Sequence, residues 1–182
     1  MNWTDEELIE GCKRRSAKYE EVFYKKYYGY VMGISLSYSK DKSLADEITN
    51  DSFMKFFGSI NKFDDFQSVK AWLRRITVNT AIDYFRKQKK FNNQTDVSEE
   101  TSVFHDVNAL HDLAFEDIIG LINQLQEDHK MVFNLYEIEG YSHKEIGAKL
   151  GLTESSCRVY LARAKAQLRK LVSLHLKEYE GR

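Results

Sequence analysis

Ser155, Ser156, Arg158 and Val159 stand almost side by side, and Arg163, Lys165, Arg169 and Lys170 follow. These residue types suit one kind of chemistry. Short hydroxyls and a guanidinium can hydrogen-bond base edges in a DNA major groove, and an exposed valine can touch a thymine methyl. Cations further along can neutralise phosphates. Between 158 and 170 there are five Lys or Arg and no acid. An ordinary amphipathic helix with a solvated basic face would show the same run, so the preceding residues must decide.

Those residues are YSHKEIGAKLGLTESSCRVYLARAK, 141 to 165. Ser142 suits a helix N-cap and Glu145, three residues on, completes a capping box. Ile146 and Leu150 supply an apolar stripe, and Gly151 suits the left-handed residue that ends a helix. Thr153 then caps a second helix whose first residue, Glu154, faces the positive end of the helix dipole. At about 100° per residue, Cys157, Leu161, Ala164, Leu168, Leu171 and Val172 share one side, with Tyr160 at its edge. That side is predicted to pack inward, leaving Ser155, Ser156, Arg158, Val159 and Arg163 outward and Lys165 at the boundary. Two capped helices around a glycine turn form the layout of a DNA-reading helix-turn-helix.

The whole chain of 182 residues is 42% hydrophobic and 30% charged, enough for one or two small domains with proper cores. Its net charge of -1 conceals an uneven distribution. Residues 62 to 90 carry eight Lys or Arg against three acids, whereas residues 91 to 117 carry seven acids and no Lys or Arg. Proline is absent and helical spacing of apolar residues recurs, so the predicted fold is all-α. Two small helical domains are expected, 1–90 and 116–182, joined by a flexible acidic linker over 91–115. Thr4 and Glu7 form another capping-box pattern, and a longer helix is predicted over Tyr19 to Ser37.

In the first domain, LADEITNDSFMKFF puts Leu44, Ile48, Phe53, Phe56 and Phe57 near a buried face. Glu47, Asn50, Asp51 and Met54 are left more exposed, a strip that by spacing alone signals no more than solubility. After the loop GSINKFDDFQ comes SVKAWLRRITVNTAIDYFRKQKK, a helix with a basic carboxyl end. Its Arg74, Arg75, Arg86 and Lys87 form a cluster that, beside loop aromatics, suits a nucleic-acid backbone with unstacked bases. Cations at a helix carboxyl end also suit the dipole, which is the structural alternative.

Both halves together resemble the extracytoplasmic-function (ECF) group of bacterial sigma factors, the small initiation subunits of RNA polymerase. LADEITNDSFMKFF with AWLRRITVNTAIDYFRKQKK is similar to that family's region 2, and LINQLQEDHKMVFNLYEIEGYSHKEIGAKLGLTESSCRVYLARAKAQLRK to its region 4. The resemblance implies that region 2 binds the polymerase clamp and opens the minus-10 promoter element, while region 4 reads minus-35 duplex. It implies clamp contacts for Glu47, Asn50, Asp51 and Met54, and a minus-10-reading role for Asn79 with Arg74, Arg75, Arg86 and Lys87 near phosphates. It further implies capture of a flipped base around Lys62, Phe63 and Asp64, and minus-35 contacts for Ser155, Ser156, Arg158, Val159, Arg163 and Lys165. Its implied partners are core RNA polymerase, promoter DNA and an anti-sigma factor. The chain departs from the family in carrying Asn50-Asp51 for the usual Gln-Glu pair, each one methylene shorter. It also has Ser155-Ser156-Cys157-Arg158-Val159-Tyr160 where Gly-Thr-Val-Lys-Ser-Arg is frequent.

No Gly-rich phosphate loop, HExxH or nucleophile elbow is present, and the five histidines lack ligand spacing, so no catalytic residue, cofactor or metal is predicted. Cys12 and Cys157 are too few and too far apart for a disulfide framework. Neither a long apolar run nor a signal peptide is evident, and the expectation is a cytoplasmic protein without membrane insertion. The alternative function is a helix-turn-helix regulator with a helical sensing domain.

Overall fold

A computed structural model of the chain describes residues 3–64, 68–92 and 113–180. The chain divides into two units, Met1–Phe91 and Asn92–Arg182. Among the described residues every regular element is helical, which is the all-α fold that the sequence predicts. Helix occupies both ends of the 91–115 stretch expected as a linker, through Asn92 and from Leu113. The residues between lie outside those described.

In the first unit, α1 (Asp5–Lys13) begins at Thr4, whose hydroxyl accepts from the Glu7 N–H at 3.2 Å while the Glu7 carboxylate accepts from the Thr4 N–H at 2.9 Å. This satisfies donors that the first helical turn leaves without carbonyl partners. The helix α2 (Ala17–Tyr38) covers the predicted 19–37 span and buries Phe23, Tyr27, Val31, Ile34 and Tyr38 on one face. Asp41 caps α3 (Lys42–Ser59), accepting from the Leu44 N–H at 2.8 Å. A 3-10 turn (Ile60–Lys62) and then α4 (Val69–Asn92) complete the unit.

The core of this unit is aromatic. Phe23 stacks on Phe56 with ring centres 4.5 Å apart, Phe56 meets Trp72 at 4.9 Å, and Trp72 meets Phe63 at 5.1 Å. Pairs of this kind add about 0.5–1.5 kcal/mol each beyond their area burial. They fasten α2, α3 and α4 to one another, so that the exposed faces of α3 and α4 are held by a rigid interior. Between α2 and α3, Thr49 donates to the Ser35 hydroxyl at 2.9 Å, which satisfies two polar groups inside the core.

The second unit comprises α5 (Leu113–Asn123), α6 (Glu127–Phe133), a π-type turn over Asn134–Ile138, α7 (His143–Leu150) and α8 (Glu154–Glu180). Its buried residues include Ile122, Leu125, Met131, Val132, Leu135, Ile146, Leu150, Cys157, Leu161 and Ala164. The π turn was not legible in the sequence: the Glu139 N–H donates to the Asn134 carbonyl at 3.1 Å, five residues back. Gly140, with φ +76°, then reverses the chain toward α7.

Candidate nucleic-acid interface

The last two helices of the second unit, α7 and α8, are each started by the residues the spacing singles out. Ser142 accepts from the Glu145 N–H at 3.3 Å, and the Glu145 carboxylate accepts from the Ser142 N–H at 2.8 Å. The Ser142 hydroxyl, which donates to the same carboxylate at 2.7 Å, and then the Ser142 N–H hold the Glu145 carboxyl below its ordinary range. Gly151 ends α7 in the left-handed region, φ +68° and ψ +33°. The Leu152 N–H donates to the Gly147 carbonyl at 3.0 Å, tightening the turn. Thr153 accepts from the Ser156 N–H at 3.1 Å and opens α8.

The inward side of α8 is buried at Cys157, Leu161 and Ala164. Leu168 and Leu171 are half-buried, and Val172, expected on the inward seam, is instead 42% exposed. With Phe133, Leu168 and Arg169 it lines a shallow groove.

The outward side presents Ser155, Arg158, Val159 and Arg163 to solvent, Val159 at 46% exposure. Ser156 is half-buried, and its hydroxyl lies 2.8 Å from that of Thr153, as the Ser155 hydroxyl lies at 3.0 Å. Arg158 pairs with Glu154 one turn back, an exposed i,i+4 contact in addition to the favourable place of Glu154 at the positive end of the helix dipole. Lys165 stands apart. Its ammonium lies 2.7 Å from the Glu137 carboxylate and above the Tyr136 ring, so its charge is turned toward the π turn. Behind α8, His129 is buried against Tyr160 with ring centres 5.1 Å apart. Burial first, and the Arg163 charge second, hold its imidazole below the ordinary histidine value.

In the first unit, Arg75, Asn79 and Arg86 fall on one face of α4 at spacings of four and seven residues. Arg75, Arg86 and Lys87 are exposed; Asn79 and Arg74 are half-buried, and Lys87 and Arg74 lie to either side of that face. Lys62 and Asp64 are exposed, but Phe63 is only 8% exposed and packs on Trp72 within the core. Its ring is thus part of the core and offers no open stacking surface. An aromatic in a polar loop gives no sequence signal that separates these two placements.

The strip on α3 is exposed at Glu47, Asn50, Asp51 and Met54, the last at 71%. Two of its polar members are engaged, one from each neighbouring helix. Tyr84 of α4 donates to the Asp51 carboxylate at 2.8 Å, and Tyr24 of α2 donates to the Asn50 side-chain oxygen at 3.3 Å. One turn further on, Lys55 meets Asp83 at 3.0 Å. Neither tyrosine was singled out from the sequence, since partners 26 and 33 residues away leave no local pattern.

Among the described residues no group of three His, Cys, Asp or Glu is placed to hold a metal ion, and no helix is long and apolar enough to cross a membrane. The arrangement can bind nucleic acid through two cationic faces, one at the start of α8 and one along α4.

Comparison with known proteins adds the following. The sigma-70 region 2 family model matches residues 23–91, and the sigma-70 region 4 model matches residues 115–168. The ECF RNA polymerase sigma factor SigM of Bacillus subtilis is 28% identical over 83% of this chain and 93% of its own length. The RNA polymerase sigma-H factor of Pseudomonas aeruginosa is 24% identical over 96% of both chains. The ECF RNA polymerase sigma-E factor of Haemophilus influenzae is 27% identical over 91% of this chain and 93% of its own. Among solved structures, the sigma factor RpoE of Bartonella quintana, crystallised with the anti-sigma factor NepR, shares the fold. Its TM-score is 0.55 at 21% identity, covering 84% of this chain and 98% of that one.

Proposed function

The chain belongs to the ECF group of the sigma-70 family, a promoter-specific transcription initiation factor and not a catalytic enzyme, and from that premise we propose how its two units divide the work. The second unit reads minus-35 duplex with the first turns of α8. Ser155, Ser156, Arg158 and Val159 face base edges, and Arg163 lies along the phosphates. Lys165 lies farthest along α8 in this set, and its engagement with Glu137 means that a phosphate must compete with a carboxylate for it.

The first unit binds and opens the minus-10 element. Arg75, Arg86 and Lys87 hold the backbone, with Arg74 beside them, and Asn79 contacts an unpaired base. Lys62 and Asp64 border the place where a flipped base is held, and Phe63 supports that loop from beneath. By binding separated strands more tightly than duplex, these residues lower the free energy of melting without forming or breaking a covalent bond. The α3 strip of Glu47, Asn50, Asp51 and Met54 is the face toward core RNA polymerase. An anti-sigma factor is a further expected partner, and the cytoplasm, where polymerase and DNA meet, the expected place of action.

The observation that carries this reading is the outward placement of Arg158, Val159 and Arg163 on a helix whose opposite side is buried core. That placement supports DNA contact in a way that charge composition alone does not. The test is to add the purified chain to bacterial core polymerase with genomic DNA and sequence the 5′ ends of the transcripts. Defined start sites that depend on the chain are expected. Transcripts whose starts are the same with and without it would overturn the assignment.

A further inference from the structure

We propose that Tyr84 is a positioning residue for polymerase binding, acting through Asp51, with Tyr24 in a lesser role through Asn50. The inference rests on the reading that the α3 strip faces the polymerase. Its observation is independent of that reading: two consecutive exposed residues of one helix are each held by a tyrosine hydroxyl from a different neighbouring helix.

The two contacts are not equal. At 2.8 Å the Tyr84 hydroxyl meets a carboxylate in a charge-assisted bond of ordinary length, whereas 3.3 Å is long for a bond between two oxygens. Tyr84 therefore carries most of the effect. Burial, and then Asp51 itself, push its phenol up to about 12, so it stays a neutral donor at any pH a cell reaches.

The physical consequence concerns reach and freedom. A carboxylate on a short stem that must meet a partner has little latitude, and an unrestrained one loses rotamer freedom on binding. Holding it beforehand removes part of that loss. The Tyr84 hydroxyl uses only one lone pair of the carboxylate, leaving the second oxygen available to a cationic or N–H donor on the partner. Lys55 and Asp83, bonded at 3.0 Å one turn away, tie α3 to α4 beside this point and keep Tyr84 in register with Asp51.

The experiment is a double-mutant cycle on the full chain, reading affinity for core polymerase by titration of a fluorescently labelled protein. Tyr84→Phe keeps the ring and its packing and removes only the hydroxyl. It is expected to weaken binding roughly three- to tenfold. Asp51→Ala is expected to weaken binding more, and the double variant no further than Asp51→Ala alone, since Tyr84 has then nothing to orient. The unfolding midpoint of each variant is measured alongside, so that a general loss of fold is recognised as such. Independent, additive losses would overturn the proposal, as would unchanged or tighter binding by Tyr84→Phe while Asp51→Ala is weak. If Asp51→Ala itself binds normally, the polymerase-facing reading of the strip fails and takes this inference with it.

Discussion

Replacing Gly147 by alanine sets two known effects against each other at the turn that aims α8. A β-carbon at this position would lie 2.7 Å from the backbone carbonyl oxygen of Leu152, 3.6 Å from its carbon and 3.7 Å from the Glu154 nitrogen. The obstacle is backbone, which cannot rotate away as a side-chain tip can. The same carbonyl belongs to the residue whose N–H is bonded to Gly147 at 3.0 Å, so relief of the clash stretches that bond as well. Against this stands the intrinsic gain of alanine over glycine within a helix, up to about 1 kcal/mol. Overpacking of this kind typically costs about 1–3 kcal/mol. The expected net result is a loss of roughly 1–2 kcal/mol, and a larger loss in promoter affinity, because the first turns of α8 are displaced with the turn. Gly120 is the control within the same unit. It lies in α5 with nothing within 4 Å of an added β-carbon, so Gly120→Ala is expected to stabilise. Denaturant unfolding followed by circular dichroism, with promoter affinity measured in complex with core polymerase, reads both. If Gly147→Ala proves as stable as Gly120→Ala and keeps promoter affinity, close backbone approach does not set this turn.

Arg158→Ala is expected to leave stability within about 0.5 kcal/mol, since its pair with Glu154 is exposed, yet to lose about 1–3 kcal/mol of binding at one minus-35 position. An equal loss on every minus-35 variant would mean a phosphate contact instead. Asn79→Ala is expected to spare minus-35 duplex binding and reduce permanganate reactivity of promoter thymines in the open complex; unaltered reactivity would remove Asn79 from the minus-10 set. For His129, the folded-state pKa lies below the ordinary 6.5. The unfolded chain therefore takes up the proton first as the pH falls, and stability drops below about pH 6.5. His129→Phe, which keeps a ring against Tyr160, is expected to flatten that decline, and an unchanged pH slope would exclude His129 as its source.

Features set by local bonding can be read along the chain. The caps at Thr4, Ser142 and Thr153, the left-handed Gly151 and the outward run of Ser155, Arg158 and Val159 were legible because each depends on residues within one or two turns. The all-α class followed from the same periodicity. Tertiary structure decided wherever the partner is distant along the chain. Phe63 is core because Trp72 comes back across it. Lys165 faces Glu137 because the π turn comes back beside α8, and Val172, apolar at helical spacing, is left exposed by the helices packed there. Asp51 is held because α4 returns Tyr84 beside it. Spacing along one helix states which residues share a face, whereas what that face meets depends on where the other helices are brought by the closing of the core.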